Sequence, residues 1–356
     1  MPGPLTALRL QDFRCFDRAA VELSEGATLF IGDNAQGKTS LLEAACVLLR
    51  LQSPRTAVAA DLIRFGRQGY GIGGDNGPHR LQLLFREGKR QLAVDGLEAK
   101  STGYLAAAGL IVWMGNDDLA LVRGGSEGRR RYLDFLGAQA FHEYRAALLA
   151  YDKALRSRNR LLKEERPDWR QIEAYTHPLI EHGTVLTRLR SDLILEVQPW
   201  AAEAHAHISE RAGETLALAY QPGATDDFAA ALDASRAEET RRRQTVIGPH
   251  RDDLVLTLNG APADKFASEG QQRTIALALK LAQARLLEAL RSEPPLLLID
   301  DVFGELDPRR RNALLRGLPA ASQKVITTTH LGWMQDDAPL SRPRLYTVSA
   351  GRVTPA

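Results

Sequence analysis

Residues 28–39 read TLFIGDNAQGKT, and this stretch predicts the centre of the fold. The apolar run Leu29–Ile31 indicates a buried strand, and residues 40–46 indicate a helix. Between them, Gly32 to Thr39 spell G-x-x-x-x-G-K-T in the strand–loop–helix context that a phosphate-binding P-loop requires. A glycine-rich turn with a chance GKT is the alternative, but it does not explain the elements on both sides.

Each position of this loop has a chemical task. Backbone N–H groups surround phosphate oxygens, and the helix N-terminus adds a partial positive charge. The amine of Lys38 is expected to reach the β- and γ-phosphates, and the hydroxyl of Thr39 is expected to hold Mg²⁺. The expected nucleotide-binding residues here are Gly32, Asp33, Asn34, Ala35, Gln36, Gly37, Lys38, Thr39 and Ser40.

The composition is that of an ordinary globular protein, with 44% hydrophobic and 25% charged residues and a net charge of +2. Charges come too early for a signal sequence, and no apolar run approaches the roughly 20 residues of a membrane helix. We therefore expect a cytoplasmic protein. Cys15 and Cys46 are the only cysteines, which excludes a multi-cysteine zinc site and favours two buried thiols.

Strand patterns lie on both sides of a helical middle. Residues 79–94 alternate as an antiparallel meander does, whereas apolar residues recur at helical spacing after Asn116. Three prolines, Pro167, Pro178 and Pro199, divide that run and predict three or four helices. We expect an α/β fold in which residues 1–116 and 245–356 form a discontinuous ATP-binding lobe with mixed and antiparallel sheets. Residues 117–244 would form an inserted helical lobe.

A second acidic motif completes the P-loop. The apolar run 296–299 leads into Asp300 and Asp301, where a P-loop ATPase needs carboxylates. Asp300 is the expected Mg²⁺-side group, and Asp301 is the expected base or water-positioning group. Two capping carboxylates after a buried strand are the alternative.

Three further segments carry candidate chemistry. Asp307 lies six residues after Asp301, and His330 ends an apolar strand from which its side chain would reach a γ-phosphate. The alternative for His330 is an ordinary surface or core histidine. Ser268 reads as the N-cap of a helix, where Gly270 allows close backbone approach; this predicts a second anion site or simply a well-capped helix. The candidate catalytic groups are thus Asp301, Lys38 and His330.

The order of these motifs resembles the ATP-binding-cassette heads of SMC-like DNA-repair ATPases. Within that class the chain resembles the RecF family of bacterial recombination mediators, from its first strand to its last. The stretches that carry this resemblance are D-x-x-x-L-V-x-G-G at 117–125 with R-R-x-Y-L-D at 129–134, GPHRDDL at 248–254, F-x-S-x-G-Q-Q-R at 266–273, and LIDDV at 298–302 with ELD at 305–307.

The resemblance implies an ABC-type ATPase head that uses ATP and Mg²⁺ and dimerises on ATP. Ser268, Gly270 and Gln271 of one copy would cover ATP held by the other, with Asp307 nearby, and Arg14 would approach the nucleotide in its own chain. It also implies binding to single-stranded and gapped duplex DNA in repair, replication and the SOS response. The implied partners are RecR, with RecO and RecA downstream.

Three positions depart from the pattern. Residues 114–116, Met-Gly-Asn, stand where related heads have a glutamine that touches Mg²⁺, and Asp301 stands where many cassettes have glutamate. Asn116 and Ser126 replace usual prolines. A carboxylate withdrawn by about 1 Å lowers a rate on the order of a hundredfold, so we expect slow, switch-like ATP hydrolysis.

Basic residues cluster between 123 and 166, where eleven Lys and Arg face six Asp and Glu. Such a local cluster can bind a phosphate backbone even when the net charge is near zero. A solvated helix face with i,i+4 ion pairs is the alternative. The expected DNA contacts are Arg156, Arg158, Arg160 and Lys163, although their spacing does not place all four on one helix face.

Other classes remain as alternatives. A chromosome-tethering or break-processing ATPase would need a long coiled coil with a hinge or a Cys-x-x-Cys hook, and the sequence offers neither. The nucleotide-binding subunit of a transporter fits the general cassette motifs but not the RecF-like stretches. A nuclease would need a separate acidic metal cluster, which the pattern does not indicate.

Overall fold

The computed structural model describes residues 3–209, 213–225, 227–334, 340 and 342–356. Over these residues the strands are β1 Leu5–Phe13, β2 Phe16–Glu22, β3 Ala27–Ile31, β4 Gly69–Asn76, β5 His79–Arg86, β6 Lys89–Val94, β7 Leu97–Glu98, β8 Ile111–Gly115, β9 Leu216–Gln221, β10 Asp253–Leu258, β11 Ala261–Pro262, β12 Leu296–Asp300, β13 Lys324–Thr328, β14 Arg344–Ser349 and β15 Arg352–Pro355.

The helices are α1 Lys38–Arg50, α2 Ser101–Ala107, α3 Ala120–Arg123, α4 Ser126–Ala140, α5 Tyr144–Leu162, α6 Trp169–Ser209, α7 Phe228–Ala234, α8 Arg236–Arg242, α9 Ala263–Phe266, α10 Glu269–Arg291 and α11 Pro308–Gly317. Short 3₁₀ turns lie at Ala59–Leu62, Asn116–Leu119, Pro249–Arg251 and Phe303–Glu305.

The chain divides into two compact units. Unit 1 contains residues 1–117 and 287–356, and unit 2 contains residues 118–286. The expected division differs from this one for residues 245–286, which belong to unit 2. They do so because β10 pairs along its length with β9, and because Lys280 on α10 forms a 2.8 Å ion pair with Asp118.

Unit 1 contains two six-stranded sheets. The first is antiparallel, in the order β2-β1-β4-β5-β6-β7. The second, in the order β15-β14-β3-β13-β12-β8, has five parallel strands and the antiparallel β15 at one edge. The P-loop strand and the C-terminal strands therefore share one sheet, and the carboxyl ends of β3, β12 and β8 lie at the same edge.

Helix α1 packs between these two sheets. Twelve of its thirteen residues are buried, and Thr39 in the first turn is the exception. A helix that is buried on all sides belongs to a core rather than to a surface. Its burial holds the N-terminus of α1, and hence the end of the P-loop, in a fixed position.

Unit 2 consists of helices α3–α9, the three-stranded sheet β11-β10-β9 and most of α10. Helices α5 and α6 pack along each other around a cluster that includes Tyr144, Tyr151, Leu179 and Leu186. Pro178 and Pro199 do not divide the run as expected, since both lie inside the 41-residue α6. The packing of α6 along α5 and β9 outweighs the hydrogen bonds that two prolines remove.

Candidate functional site

The P-loop connects β3 to α1, as the sequence predicts. Gly37 has a φ of +110°, and a Cβ atom there would lie 2.7 Å from the Cys15 sulfur. At Gly32 a Cβ atom would lie 2.2 Å from the Val348 carbonyl oxygen of β14. Both positions therefore require glycine for steric reasons, and Gly37 requires it for its left-handed backbone as well.

Lys38 closes the loop on itself. Its amine donates hydrogen bonds to the carbonyl oxygens of Gly32, at 2.6 Å, and Asp33, at 2.8 Å. Burial lowers the pKa of Lys38, and the nearby carboxylates of Asp301, Asp300 and Asp33 oppose that shift. The lysine is thus a buried cation that lies inside the loop, where a phosphate oxygen would meet it.

Asp300 joins the acidic motif to the P-loop. One of its carboxylate oxygens accepts hydrogen bonds from the hydroxyls of Thr39, at 2.9 Å, and Thr327, at 2.7 Å. Burial raises the pKa of Asp300, whereas these two hydroxyl donors lower it. Thr39 and Asp300 are therefore in position to share one hard cation.

Asp301 has a different environment. Its backbone has a φ of +53°, and its N–H donates to the Thr327 hydroxyl at 3.0 Å. Its Oδ1 atom is buried and has no hydrogen-bond partner within the described part of the chain. A buried oxygen without a partner is unfavourable unless a ligand or water satisfies it. Mg²⁺ is commonly held by one or two carboxylates plus phosphate oxygens and waters, so this set of oxygens fits that cation.

These groups line a cavity of about 560 Å³. Its other walls come from the loop residues Asn34 and Ala35, from Ser40, and from a second group of residues: Arg14, Cys15, Arg55, Asp61 and Ile63. Cys15 is exposed here rather than buried as expected, whereas Cys46 is buried.

Arg14 lies at this cavity because hydrogen bonds to the buried Glu43 carboxylate hold its guanidinium there. Its guanidinium donates two 2.8 Å hydrogen bonds to Glu43, whose side chain is fully buried in α1, and a third to the Asp61 carbonyl oxygen at 2.9 Å. These contacts raise the pKa of Arg14, chiefly through its hydrogen bonds to Glu43. No sequence pattern indicates Glu43 as the partner of Arg14, because the pair forms only through packing of α1 against the β1–β2 turn.

Other predicted residues lie outside the cavity lining. Gln36 instead accepts a 2.7 Å hydrogen bond from the Ala350 N–H, which ties the loop to the β14–β15 turn. Asp307 caps α11 by accepting from the Arg310 N–H at 3.0 Å, which lowers its pKa. His330 is exposed, and its Nδ1 accepts from the Gly332 N–H at 3.2 Å.

Asn116 lies at the carboxyl end of β8, next to β12. Its side-chain amide donates a 2.7 Å hydrogen bond to Glu305, in the 3₁₀ turn that follows Asp300 and Asp301. Asn116 thus contacts the turn before Asp307.

In unit 2, Ser268 and Gln271 cap α10 reciprocally. The Gln271 N–H donates to the Ser268 hydroxyl at 3.3 Å, and the Ser268 N–H donates to the Gln271 side-chain oxygen at 2.8 Å. The two bonds form a capping box, and the Ser268 hydroxyl is the N-cap that the sequence predicts. With Gly270 it forms the first turn of a 23-residue helix.

Arg158 is not a DNA contact, because it is buried. Its guanidinium donates to both Glu239 carboxylate oxygens at 2.7 and 2.8 Å, and to the hydroxyls of Thr245 and Thr176. Only 1% of Arg158 is exposed, and Glu239 is fully buried. A buried guanidinium saturated in this way holds α5 to α8 and is not free to bind phosphate.

The other three predicted contacts are exposed and do share a face. Arg156, Arg160 and Lys163 on or just after α5 line up with Lys153, which the sequence analysis did not single out. The spacing of three, four and three residues places these four cations on one side of a helix. No carboxylate of the described residues forms an ion pair with any of them. We call this set the α5 basic face.

Residues 248–253 have a structural role. Asp252 is fully buried and accepts from the Arg190 guanidinium at 2.6 Å and the Gly223 N–H at 2.7 Å. Arg190 also pairs with Asp134 at 2.7 Å, and Asp253 pairs with Arg129 at 2.6 Å. This segment is a turn that leads into β10 and also the polar centre of unit 2.

Among the described residues, no helix combines the length and apolar character that crossing a membrane requires. A family model described as an AAA domain matches residues 7–115. Among solved structures, "the recombination mediator protein RecF-ATPrS in RecFOR pathway" aligns with a TM-score of 0.88 at 28% identity, covering 99% of each chain. An SMC head bound to a domain of ScpA aligns at 0.57 and 15% identity, which shows the fold alone.

The curated relatives align over nearly the whole chain. The DNA replication and repair protein RecF of Symbiobacterium thermophilum is 37% identical, covering 98% of this chain and 97% of its own. That of Anaeromyxobacter sp. strain Fw109-5 is 38% identical, covering 99% of each. The expected ABC-type head with its helical insertion is therefore confirmed, and the chain belongs to the RecF family of DNA replication and repair proteins.

Proposed function

We propose that this protein is an ATP-gated DNA-binding clamp of recombinational repair. The proposal rests on one observation. Lys38, Thr39, Asp300 and the unpartnered Asp301 oxygen line the same cavity. The structures of RecF relatives with ATP and ATPrS support the same ligand.

In this mechanism Lys38 exchanges its bonds to the Gly32 and Asp33 carbonyl oxygens for bonds to the β- and γ-phosphates. Thr39 and Asp300 would hold Mg²⁺, which would neutralise phosphate charge. Asp301 positions the attacking water and takes up its proton at Oδ1. Hydrolysis is slow because the aspartate side chain is short.

The nucleotide links two copies of the chain. The α10 N-terminus, where Ser268, Gly270 and Gln271 lie, offers its partial positive charge to the γ-phosphate of the second copy. The chain has two anion-binding turns, the P-loop and the α10 N-terminus. Both turns contact the same nucleotide if ATP bridges two copies. Asp307 and Asn116 act beside this site through the turn that contains Glu305.

The α5 basic face supplies the DNA contact. Four exposed cations, none of which forms an ion pair with a carboxylate of the described residues, provide the positive stripe that a phosphate backbone needs. The clamp grips duplex DNA beside single-stranded gaps, with RecR as partner and RecO and RecA acting downstream. The RecFOR pathway named for a relative's structure supports a role in the same pathway as RecO and RecR.

The test combines sedimentation and DNA binding. ATP with Mg²⁺ should convert single copies into dimers, more so on gapped duplex, and Ser268→Arg should prevent it. Changing Lys153, Arg156, Arg160 and Lys163 to alanine one at a time should each lower the salt slope of DNA binding by about one. Lys100→Ala, at an exposed lysine of unit 1, is the control. Single copies under all conditions, or unchanged slopes, would refute the clamp.

The nucleotide-binding subunit of a transporter is the second candidate. Only the general ATP-binding-cassette motifs favour it. Full-length similarity to RecF relatives gives it no support. Retention on gapped DNA that depends on ATP separates the two functions.

A further inference from the structure

Phe65 is fully exposed, with a relative accessibility of 102%. It occupies the second position of a tight turn in which the Arg67 N–H donates to the Arg64 carbonyl oxygen at 3.0 Å. Gly66 follows it with a φ of +79°, as the third position of a type II turn requires. A phenylalanine in this position gains nothing from the fold of its own chain.

Several contacts hold this turn rigidly. Arg64 pairs with Asp17 at 2.7 Å, and Arg67 pairs with Asp12 at 3.1 Å. The Arg64 N–H also donates to the Asp12 carbonyl oxygen at 2.9 Å. The backbone of the turn is therefore pre-organised, which favours binding because little backbone freedom remains to be lost.

The turn adjoins the nucleotide cavity. Ile63, two residues before Phe65, lines that cavity and pairs as a β-bridge with Phe13. Lys38, Asp300 and Asp301 mark the part of the cavity for the terminal phosphates. The nucleoside would then lie against the remaining walls, which include Arg14, Cys15, Arg55, Asp61 and Ile63.

These walls contain no aromatic ring, yet a nucleotide base buries best against a flat apolar surface. Stacking on an aromatic side chain contributes on the order of a ten- to hundredfold gain in affinity for a base. We propose that Phe65 is the base-stacking residue of this site, which rests on the proposed nucleotide binding. Because stacking depends on ring area rather than hydrogen bonding, it favours purines over pyrimidines.

The experiment measures ADP and tripolyphosphate binding to the full chain by calorimetry. ADP binding requires no second copy, so it separates stacking from dimer contacts. Phe65→Ala should weaken ADP binding about ten- to hundredfold and leave tripolyphosphate binding unchanged. Phe65→Trp should restore ADP affinity, and ADP but not tripolyphosphate should quench the new tryptophan. Leu97→Ala, another exposed apolar residue of unit 1 at 75%, is the matched control and should change neither.

Two other outcomes of the binding measurements would overturn the proposal. Equal weakening of ADP and tripolyphosphate would mean that the turn supports the P-loop. Unchanged ADP affinity with weaker ATP-driven dimerisation would place Phe65 against a second copy. Failure of the clamp itself would appear as missing dimers on DNA, which leaves the ADP measurements intact.

Discussion

The Thr39 hydroxyl donates a 2.9 Å hydrogen bond to the Asp300 carboxylate, although 261 positions separate the two residues. The pairing follows from the sheet, in which β13 lies between β3 and β12 and the carboxyl ends of all three strands share one edge. Thr327 on β13 donates to the same oxygen. The P-loop and the acidic motif, which are distant in the sequence, thereby form one site.

Asp300→Asn should separate cation binding from phosphate binding. The amide keeps one acceptor for Thr39 and Thr327 but loses the charge that attracts Mg²⁺. We expect ATP affinity in the presence of Mg²⁺ to fall about a hundredfold, as removal of one charged contact of 2–3 kcal/mol does. Affinity measured in EDTA should change little. Glu25→Gln, at an exposed acid of the same unit, is the control; equal losses with and without Mg²⁺ would contradict this role.

Asp301→Asn should slow turnover without preventing nucleotide binding. Its Oδ1 is the buried oxygen without a partner, and an amide cannot accept the water proton. We expect ATP turnover to fall about 10²- to 10⁴-fold. Sedimentation should then show a persistent ATP-bound dimer. Turnover at the wild-type rate would exclude Asp301 as the base.

Gly37→Ala should destabilise unit 1 and abolish nucleotide binding. The left-handed φ and the 2.7 Å approach to the Cys15 sulfur each act against a methyl group. Together they should lower the free energy of unfolding by about 2–4 kcal/mol. Gly103→Ala in α2, where a Cβ meets nothing within 4 Å, is the matched control. Gly103→Ala should instead raise the free energy of unfolding by about 0.5–1 kcal/mol. Similar effects at the two sites would contradict the steric argument.

Arg158→Ala should unfold unit 2 far more readily than Arg156→Ala. Its removal leaves the Glu239 carboxylate buried and unpaired, which destabilises by about 3–5 kcal/mol. Arg156 is exposed, so its removal should leave stability within about 0.5 kcal/mol. Urea unfolding compares the two variants. Recovery of stability in Arg158→Met with Glu239→Leu would show that the unpaired charge, not lost packing, is the cause.

His250 should make the protein less stable in mild acid. Its Nδ1 lies 2.6 Å from the Tyr151 hydroxyl and its Nε2 lies 3.1 Å from the Thr245 carbonyl oxygen, and burial lowers its pKa to about 4. Below the ordinary pKa of about 6.5, the unfolded chain binds a proton that the folded chain does not. The free energy of unfolding therefore falls as pH drops from about 6.5 towards 4.

The size of this effect follows from proton linkage. Between pH 7.5 and 5.5 the contribution of His250 should be a loss of about 1 kcal/mol. His250→Gln keeps a donor and an acceptor but has no titrating ring. Urea unfolding at both pH values should show a loss in the variant smaller by that amount. An identical pH dependence in both proteins would mean that His250 is not held neutral.

The sequence by itself determined the features that depend on neighbours along the chain. The P-loop is one, because Gly37 and Lys38 act through local backbone geometry and a short lysine contact. The N-cap at Ser268 is another. The apolar strand before Asp300 is a third. Each is encoded within a few residues, so reading the pattern sufficed to find it.

Only the tertiary structure decided which charges are buried and which are exposed. Arg156 and Arg158 are two residues apart, yet Arg158 pairs with Glu239 while Arg156 remains in solvent. Glu43 as the partner of Arg14, and Asp252 as the partner of Arg190, likewise depend on packing between distant elements. The physical reason is that desolvation fixes the role of a charged group, and desolvation depends on the neighbours that folding brings to it.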